Sequence, residues 1–495
     1  MHPAALISKL NNIVSVSGET DSVEITTATP NSREVTKGAL FCAMKGARLD
    51  GHDFIPEAIA KGAAAILAEH KTDAIPPNFP LILVSDAYHA FGEVAEAISD
   101  APANAFRTIA VTGTNGKTTT TYLLRAILKK AKYTTGMIGT VEYDMGVEPT
   151  LPADRTTPTP FQLQELFKRM KANHVDFNVM EISSHALAQG RLGHLKADAA
   201  IFTNLTQDHL DYHHTMEEYY QAKKILFVEN LKQNAPVVIN IDDAYGARLA
   251  QELQGGNIFS ISAQNNPNAS CKIDDLRLSA NGTDFSLNFS DGEKWADLHT
   301  PLPGEYNAMN ATEAIATAKA LGISEKIIRT AIAECKGAPG RLQAVTLPES
   351  PFQIYIDYAH TDDALKNVLS LLKKLPHNRL TVVFGCGGDR DRTKRPKMAQ
   401  AAALYADSIY VTSDNPRTES PEAIIQDILA GFPPTAKPVS IADRKAAIKA
   451  AIQNAQQGDI ILVAGKGHED YQEINGVKHH FNDAEACMKM IVSNI

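Results

Sequence analysis

The chain is short of several things, and each shortage removes a class of protein. It has five cysteines in 495 residues, Cys42, Cys271, Cys335, Cys386 and Cys487, an odd number with no two at metal-knuckle or redox-pair spacing. That usage argues for reduced core thiols and a cytoplasmic location. No apolar run approaches the roughly 20 residues that span a bilayer. Met1 to Lys9 lacks the charged start and long apolar stretch of a secretory signal. Positive charge is in deficit: 48 Lys and Arg against 57 Asp and Glu leave a formal charge of -9. Neither nucleic acid nor an anionic membrane surface attracts such a chain in general. There is no 20–50-residue repeat and no low-complexity segment, so a solenoid is not expected.

What is present is an ordinary globular balance, 44% hydrophobic and 21% charged. The length exceeds one core and suggests about three domains. The expected fold is α/β in three parts: a smaller N-terminal α/β domain at 1–104, a central domain at 105–336, and a C-terminal Rossmann-like domain at 337–495. The small-residue stretch Asp100-Ala101-Pro102-Ala103-Asn104 reads as the first linker, and Gly337-Ala338-Pro339-Gly340 as a hinge. In the central block, continuous apolar strands (Phe177 to Glu181, Ala199 to Thr203, Val237 to Asn240) separated by helical stretches indicate a parallel sheet with helices on both faces. The stretch Ile258 to Leu298 alternates and is turn-rich, which suggests a smaller antiparallel sheet.

The chemistry-bearing segment is Gly113-Thr114-Asn115-Gly116-Lys117-Thr118-Thr119, directly after the apolar run Thr108 to Val111. Strand, glycine turn, then Lys-Thr opening a helix is the layout of a phosphate-binding loop. Backbone N–H groups and the helix N-terminus face phosphate oxygens there, Lys117 reaches the transferring phosphate, and Thr118 can ligate magnesium. The loop is short: only Thr114 and Asn115 separate its glycines. Glu181 and His209 follow neighbouring strands and can stand near Thr118, a donor set suited to magnesium or manganese.

Three further readings come from the residues alone. Ser183-Ser184-His185 raises serine hydrolysis, but no Gly-x-Ser-x-Gly elbow surrounds it. Lys223 and Lys224, in the helix-like stretch Glu217 to Glu229, read as solvated surface lysines. In the last block four strands end in polar clusters, Asp357 to His360, Gly385 to Arg390, Asp414 to Arg417 and Gly465 to Glu469. Ligands bind at such strand ends, and a site holding Arg390 and Arg417 beside Asp414 and Glu469 suits an amino acid.

Taken together with Arg155-Thr156-Thr157-Pro158, Met180 to His185, Phe202 to Leu205 and Asp208 to His213, these motifs closely resemble the Mur ligase family of ATP-dependent amide-forming enzymes over nearly the whole chain. Within the family they are most similar to the branch that adds meso-diaminopimelate to UDP-MurNAc-dipeptide. The short loop is this family's own form. The resemblance implies ATP as co-substrate, Mg2+ as cofactor, and a place in peptidoglycan precursor synthesis; nothing in the chain suggests an obligate partner surface, so a monomer is expected. It implies that Ser32, Ala47, Arg48 and Leu49 hold the uridine nucleotide, and that Thr156, Thr157, Ser183, Gln189 and Arg191 hold the sugar-peptide. It implies a carbamylated Lys223, a metal-binding anion in place of a cation, acting with Lys117, Glu181 and His209. Asn307 and Arg341 match nucleotide-contacting positions. Arg390, Asp414, Asn415, Pro416, Arg417, Gly465 and Glu469 match the diaminopimelate site. Three positions depart from the family pattern: Gln343, Asp362 and Asn482. Two other readings stay open: a folylpolyglutamate synthase-like ligase, which would lack the N-terminal domain, and a nucleotide-driven switch or motor.

Overall fold

The computed structural model describes residues 1–20, 23–46, 49–253, 255–279, 281–345 and 350–493. They divide into two compact units, one of 1–271 with 313–328 and one of 272–312 with 329–495.

The first unit carries two sheets. The smaller orders its strands as Ile13–Ser17, Leu81–Val84, Ala65–Ala68, Ala39–Cys42 and Thr27–Thr29. Only the first pair is antiparallel. The larger runs Ile258–Ser262, Val237–Asn240, Ala199–Phe202, Arg107–Thr112, Phe177–Glu181 and Thr135–Ile138, all parallel. Two short antiparallel strands, Glu142–Asp144 and Leu151–Pro152, follow. Every residue of Phe177–Glu181 and Ala199–Phe202 is buried, as continuous apolar strands covered on both faces must be.

Ile258–Ser262 refines one expectation, since it also extends the parallel sheet by pairing with Val237–Asn240. Its serines alternate with apolar residues, the pattern of a strand with one polar face. They are instead buried and bonded: Ser260 Oγ donates to the Asn268 carbonyl, and Ser262 Oγ to Asp242. The antiparallel pair lies further on, at Gly282–Phe289 and Lys294–Thr300.

The helix Ala87–Ile98 packs on the loop at 189–194 with no room to spare. A Cβ placed on Gly92 would overlap the Gly190 carbonyl, and one on Gly193 would reach Glu96.

The second unit is built on a six-stranded sheet. The order is Gln343–Ala344, Gln353–Asp357, Ile460–Ala464, Leu380–Phe384, Ser408–Val411 and Val439–Ser440, parallel except for the first pair. The order places the carboxyl ends of four strands side by side. Each face of the sheet has its own apolar core, the two-sided covering that parallel sheets require.

Candidate active site

In the first unit, Arg107–Thr112 ends at Gly113, the loop turns, and the helix Lys117–Lys130 begins at Gly116, whose φ is 89°. A run of four threonines opens this helix although β-branched residues are weak helix formers. The hydroxyls are accommodated singly: Thr121 Oγ1 bonds the Thr118 carbonyl, Thr120 Oγ1 bonds Glu313, and Thr118 Oγ1 bonds Glu181. Gly113 is obligatory, because a Cβ there would overlap Thr203 Oγ1. The loop is laced to the next strand end: Thr203 Oγ1 and Asn204 Nδ2 donate to the Asn115 carbonyl, and Asn115 N–H donates to Asn204 Oδ1. Thr119 is half-buried.

Thr118 and Glu181 come together as expected, 2.9 Å apart, with Glu181 wholly buried. Sequence reasoning missed Thr140, which donates both its N–H and its hydroxyl to that carboxylate at 2.9 and 3.0 Å. Its place just beyond the strand Thr135–Ile138 was the available signal. Among the described residues no group of three or more His, Cys, Asp or Glu side chains converges into a ready-made metal site. The Thr118 hydroxyl and Glu181 carboxylate do fit magnesium carried in on phosphates, because that ion keeps most of its waters and takes one or two protein oxygens. His209 is about half exposed, beside Asp208, its ring 4.9 Å from that of His185 and 6.0 Å from Tyr219.

Lys223 overturns its reading as a surface lysine. In the helix Met216–Val228 it is 1% exposed, its ammonium 2.8 Å from the Gly113 carbonyl and 4.7 Å from the centre of the Tyr219 ring. Lys117 Nζ donates to the same carbonyl at 2.9 Å and to that of Thr114. Burial, then the neighbouring Lys117 charge, hold the Lys223 pKa well below the ordinary lysine value. The stripe of the helix surface it occupies was not legible because Glu217 and Lys224 flank it with solvated charge. Lys224 pairs with Glu252 at the surface edge, 26% exposed.

Ser183 caps the helix Ser184–Ala188 through the Ala186 N–H. Ser184 is bonded to His213 at 2.9 Å, but both are buried, and burial takes the His213 pKa down to about 4. Neither Ser183 nor Ser184 is presented as a hydrolytic nucleophile. Arg191 donates to the Thr157 carbonyl and twice to Gln189 Oε1, while Gln189 reaches Tyr212. Thr157 accepts from Ser183 N–H, and Thr156 meets Thr140. Gln189 and Arg191, with Arg155, line a cavity of about 600 Å3 that also touches Thr29, Asn31 and Glu34. Ser32 is buried nearby in sequence, its hydroxyl donated to Glu57. Leu49 is exposed, while Ala47 and Arg48 lie outside the described residues.

In the second unit, Asn307 is buried in the helix Glu305–Ala320, its amide on the Pro303 carbonyl. The Arg341 guanidinium lies 5.1 Å from the Tyr358 ring centre. Arg390, Asp414 to Arg417, Gly465 and Glu469 gather at adjoining strand ends. Arg417, at a φ of 52°, donates to the Gly388 carbonyl at 2.8 Å, and its Nε lies 3.3 Å from Glu473. A Cβ on Gly388 would overlap the Pro416 carbonyl, and one on Gly465 would overlap Asp414 Oδ2. Asn415 donates to Glu469 at 2.8 Å. Asp414 is only 7% exposed, yet its carboxylate takes no hydrogen bond or ion pair from any described residue. Its oxygens are not sealed from solvent, so a ligand's ammonium can reach them. Behind this site the wholly buried Arg444 grips Asp483 twice at 2.7 Å and donates to the Ser413 and Ala464 carbonyls.

A phosphate loop backed by a buried carboxylate, with a charged strand-end site on a second parallel sheet, defines an α/β enzyme that uses a nucleotide. Three family models cover most of the chain: "Mur ligase family, catalytic domain" at 24–100, "Mur ligase middle domain" at 111–318 and "Mur ligase, glutamate ligase domain" at 340–467. The UDP-N-acetylmuramoyl-L-alanyl-D-glutamate–2,6-diaminopimelate ligases of Bacillus velezensis and Aquifex aeolicus are each 43% identical to it. The first covers 95% of this chain and 94% of the relative, the second 94% and 93%. A solved structure of a ligase of that name, 35% identical, superposes with a TM-score of 0.71 over 97% of both chains. The MurF ligase of Thermotoga maritima in complex with ADP shares the fold, at 20% identity, TM-score 0.56 and 94% and 97% coverage. The chain belongs to the Mur ligase family, and is an ATP-dependent ligase that forms carbon–nitrogen bonds.

Proposed function

We propose that the protein joins meso-diaminopimelate to the D-glutamate carboxylate of UDP-MurNAc-L-Ala-D-Glu, at the expense of ATP, in peptidoglycan precursor synthesis. The observation that carries the reading is the strand-end site of the second unit. It offers at Asp414 a carboxylate that no described residue bonds, and an exposed Arg390 that makes no hydrogen bond or ion pair with a described residue, beside Arg417, whose other partner is Glu473. Such a site wants both an ammonium and a carboxylate, the pair found at each end of meso-diaminopimelate. L-Lysine lacks the distal carboxylate, so Arg417 would keep only its Gly388 and Glu473 contacts and the bond to the ligand would be lost, ~1–3 kcal/mol.

The γ-phosphoryl of ATP passes to the glutamate carboxylate, giving an acyl phosphate. The amine attacks its carbonyl carbon, loses a proton, and inorganic phosphate leaves. Magnesium held by Thr118 and Glu181 would offset phosphoryl charge. Lys117 and the loop N–H groups orient the phosphates, so most of the rate comes from positioning and charge neutralisation. Thr140 locks Glu181 in place. Arg155, Arg191 and Gln189 supply the donors of the 600 Å3 cavity, and we assign that cavity to the nucleotide sugar-peptide, and Ser32, Ala47, Arg48 and Leu49 to the uridine nucleotide. Asn307 and Arg341 would meet the nucleotide. The lowered Lys223 pKa favours a neutral amine, the form that adds CO2 to become a carbamate; this supports an anionic residue 223 acting with His209.

The test is phosphate release with the UDP-MurNAc-dipeptide, offering meso-diaminopimelate or L-lysine. Turnover should require all three substrates and favour diaminopimelate. Rapid ATP hydrolysis without an amino acid would point to a nucleotide-driven motor instead, and preference for lysine would overturn the substrate assignment.

A further inference from the structure

Arg390 and Arg417 come from two different strand-end turns, yet they border one spot. A Cβ placed on Gly387 would lie 3.0 Å from Arg417 Nη1 and 3.9 Å from Arg390 Cγ. Each turn also holds a residue other than glycine in the left-handed region, Asp389 at a φ of 53° and Arg417 at 52°. Such conformations cost about 1–3 kcal/mol each and persist only where the surroundings over-determine them. The backbone of Arg417 is held by the hairpin of Tyr471–Ile474 and Val477–His480: its N–H donates to the Glu473 carbonyl, and its own carbonyl accepts the Asn475 N–H.

What holds Asp389 is Glu419. Its Oε1 accepts the Asp389 N–H at 2.7 Å. In return the Asp389 carboxylate accepts the Thr418 N–H at 3.2 Å and its hydroxyl at 2.8 Å. Glu419 is itself fixed from behind. The wholly buried Arg395, in the helix Lys394–Tyr405, donates to both of its oxygens, at 2.8 and 3.0 Å, and Arg392 stands 3.4 Å away. Arg395 also donates to Asp427 and to the Gly387 carbonyl. The Gly388 N–H, on the Asn415 carbonyl, completes the seam between the two turns. A two-pronged grip on a carboxylate fixes its direction as well as its distance, so the turn at Asp389 is held against the turn that ends at Glu419.

We infer that Glu419 is a positioning residue of the amino-acid site: held by Arg395, it ties the turn that carries Arg390 to the turn that carries Arg417 and so sets the spacing of the two guanidiniums. The inference rests on the proposed function and adds to it the tie that keeps its two arginines in register.

The experiment measures kcat and KM for meso-diaminopimelate, KM for ATP and for the nucleotide dipeptide, and the melting temperature, in the full-length wild type, Glu419→Ala, Thr418→Val and Asp427→Ala. Asp427 shares Arg395 with Glu419 but bonds neither turn, so its loss reports stability alone. Glu419→Ala should lower kcat/KM for diaminopimelate about 10- to 100-fold, mainly through KM, with the other two KM values unchanged. Thr418→Val removes one bond of the tie at an exposed residue and should raise the same KM about 2- to 10-fold. Asp427→Ala should lower the melting temperature and leave that KM at the wild-type value. A wild-type KM in Glu419→Ala, or in Thr418→Val should the first variant not fold, would overturn the inference. An equal rise in Asp427→Ala, or a uniform rise of all three KM values, would reduce Glu419 to a structural role. A wild type that adds no diaminopimelate at all would instead remove the functional reading, and this inference with it.

Discussion

Lys223 and Lys117 donate to one carbonyl oxygen, that of Gly113, from 2.8 and 2.9 Å. Two ammonium groups on one oxygen repel, and the wholly buried one yields its proton more readily. Because its native pKa lies below the unfolded value, burying Lys223 costs most stability below the native pKa, and that cost declines as pH rises from there to the unfolded value near 10.5. Lys223→Met should therefore keep or raise the melting temperature at neutral pH while phosphate release falls by about 100-fold or more. Removing CO2 and bicarbonate should slow the wild type and leave the variant unaffected.

Glu313 gives the opposite pH sign. It is wholly buried, one oxygen bonded to Thr120 and the other without a partner, and burial raises its pKa to about 8. The folded state keeps the proton that the unfolded chain loses from about pH 4.5 upward. This contribution is complete below that pH and declines by about 1.4 kcal/mol per unit until pH 8. Urea unfolding at pH 5.5 and 8 should show that fall, and Glu313→Gln should remove most of it.

Arg444 and Asp483 form a pair with no exposed surface on either side. Arg444→Met or Asp483→Asn alone should cost about 3–5 kcal/mol, and the double replacement much less, because it strands no charge. A double-mutant cycle by chemical unfolding measures the coupling. The Arg444 change should also raise KM for the amino acid, since its guanidinium holds the carbonyls of Ser413 and Ala464, the residues just before Asp414 and Gly465.

Gly113→Ala adds a methyl group where Thr203 already stands, at a φ of 146° that L residues rarely adopt. Strain and overlap together should cost about 2 kcal/mol or more. The melting temperature should drop and KM for ATP rise, whereas Gly255→Ala, which meets nothing within 4 Å, should leave KM for ATP unchanged.

The sheets were legible because parallel strands buried on both faces cannot hide their composition. The loop was legible for the same kind of reason, since only glycines and small polar residues fit between Thr112 and Lys117. Lys223 was not: a helix with Glu217, Glu218, Gln221 and Lys224 exposes charge on most of its surface, and one inward lysine does not break that pattern. Ile258–Ser262 was legible as a strand but not as part of the parallel sheet, because its serines find their partners inside.

The meeting of Gly92 with the Gly190 carbonyl bears on how such an enzyme can be recombined. The loop that carries Gln189 and Arg191 is cut to the shape of a helix encoded a hundred residues earlier. A chimaera that takes its first hundred residues from one relative and the remainder from another would inherit a helix and a loop never fitted to each other. The seam would fall against the pocket wall, so exchange of the N-terminal segment should succeed only when residues 189–194 travel with it.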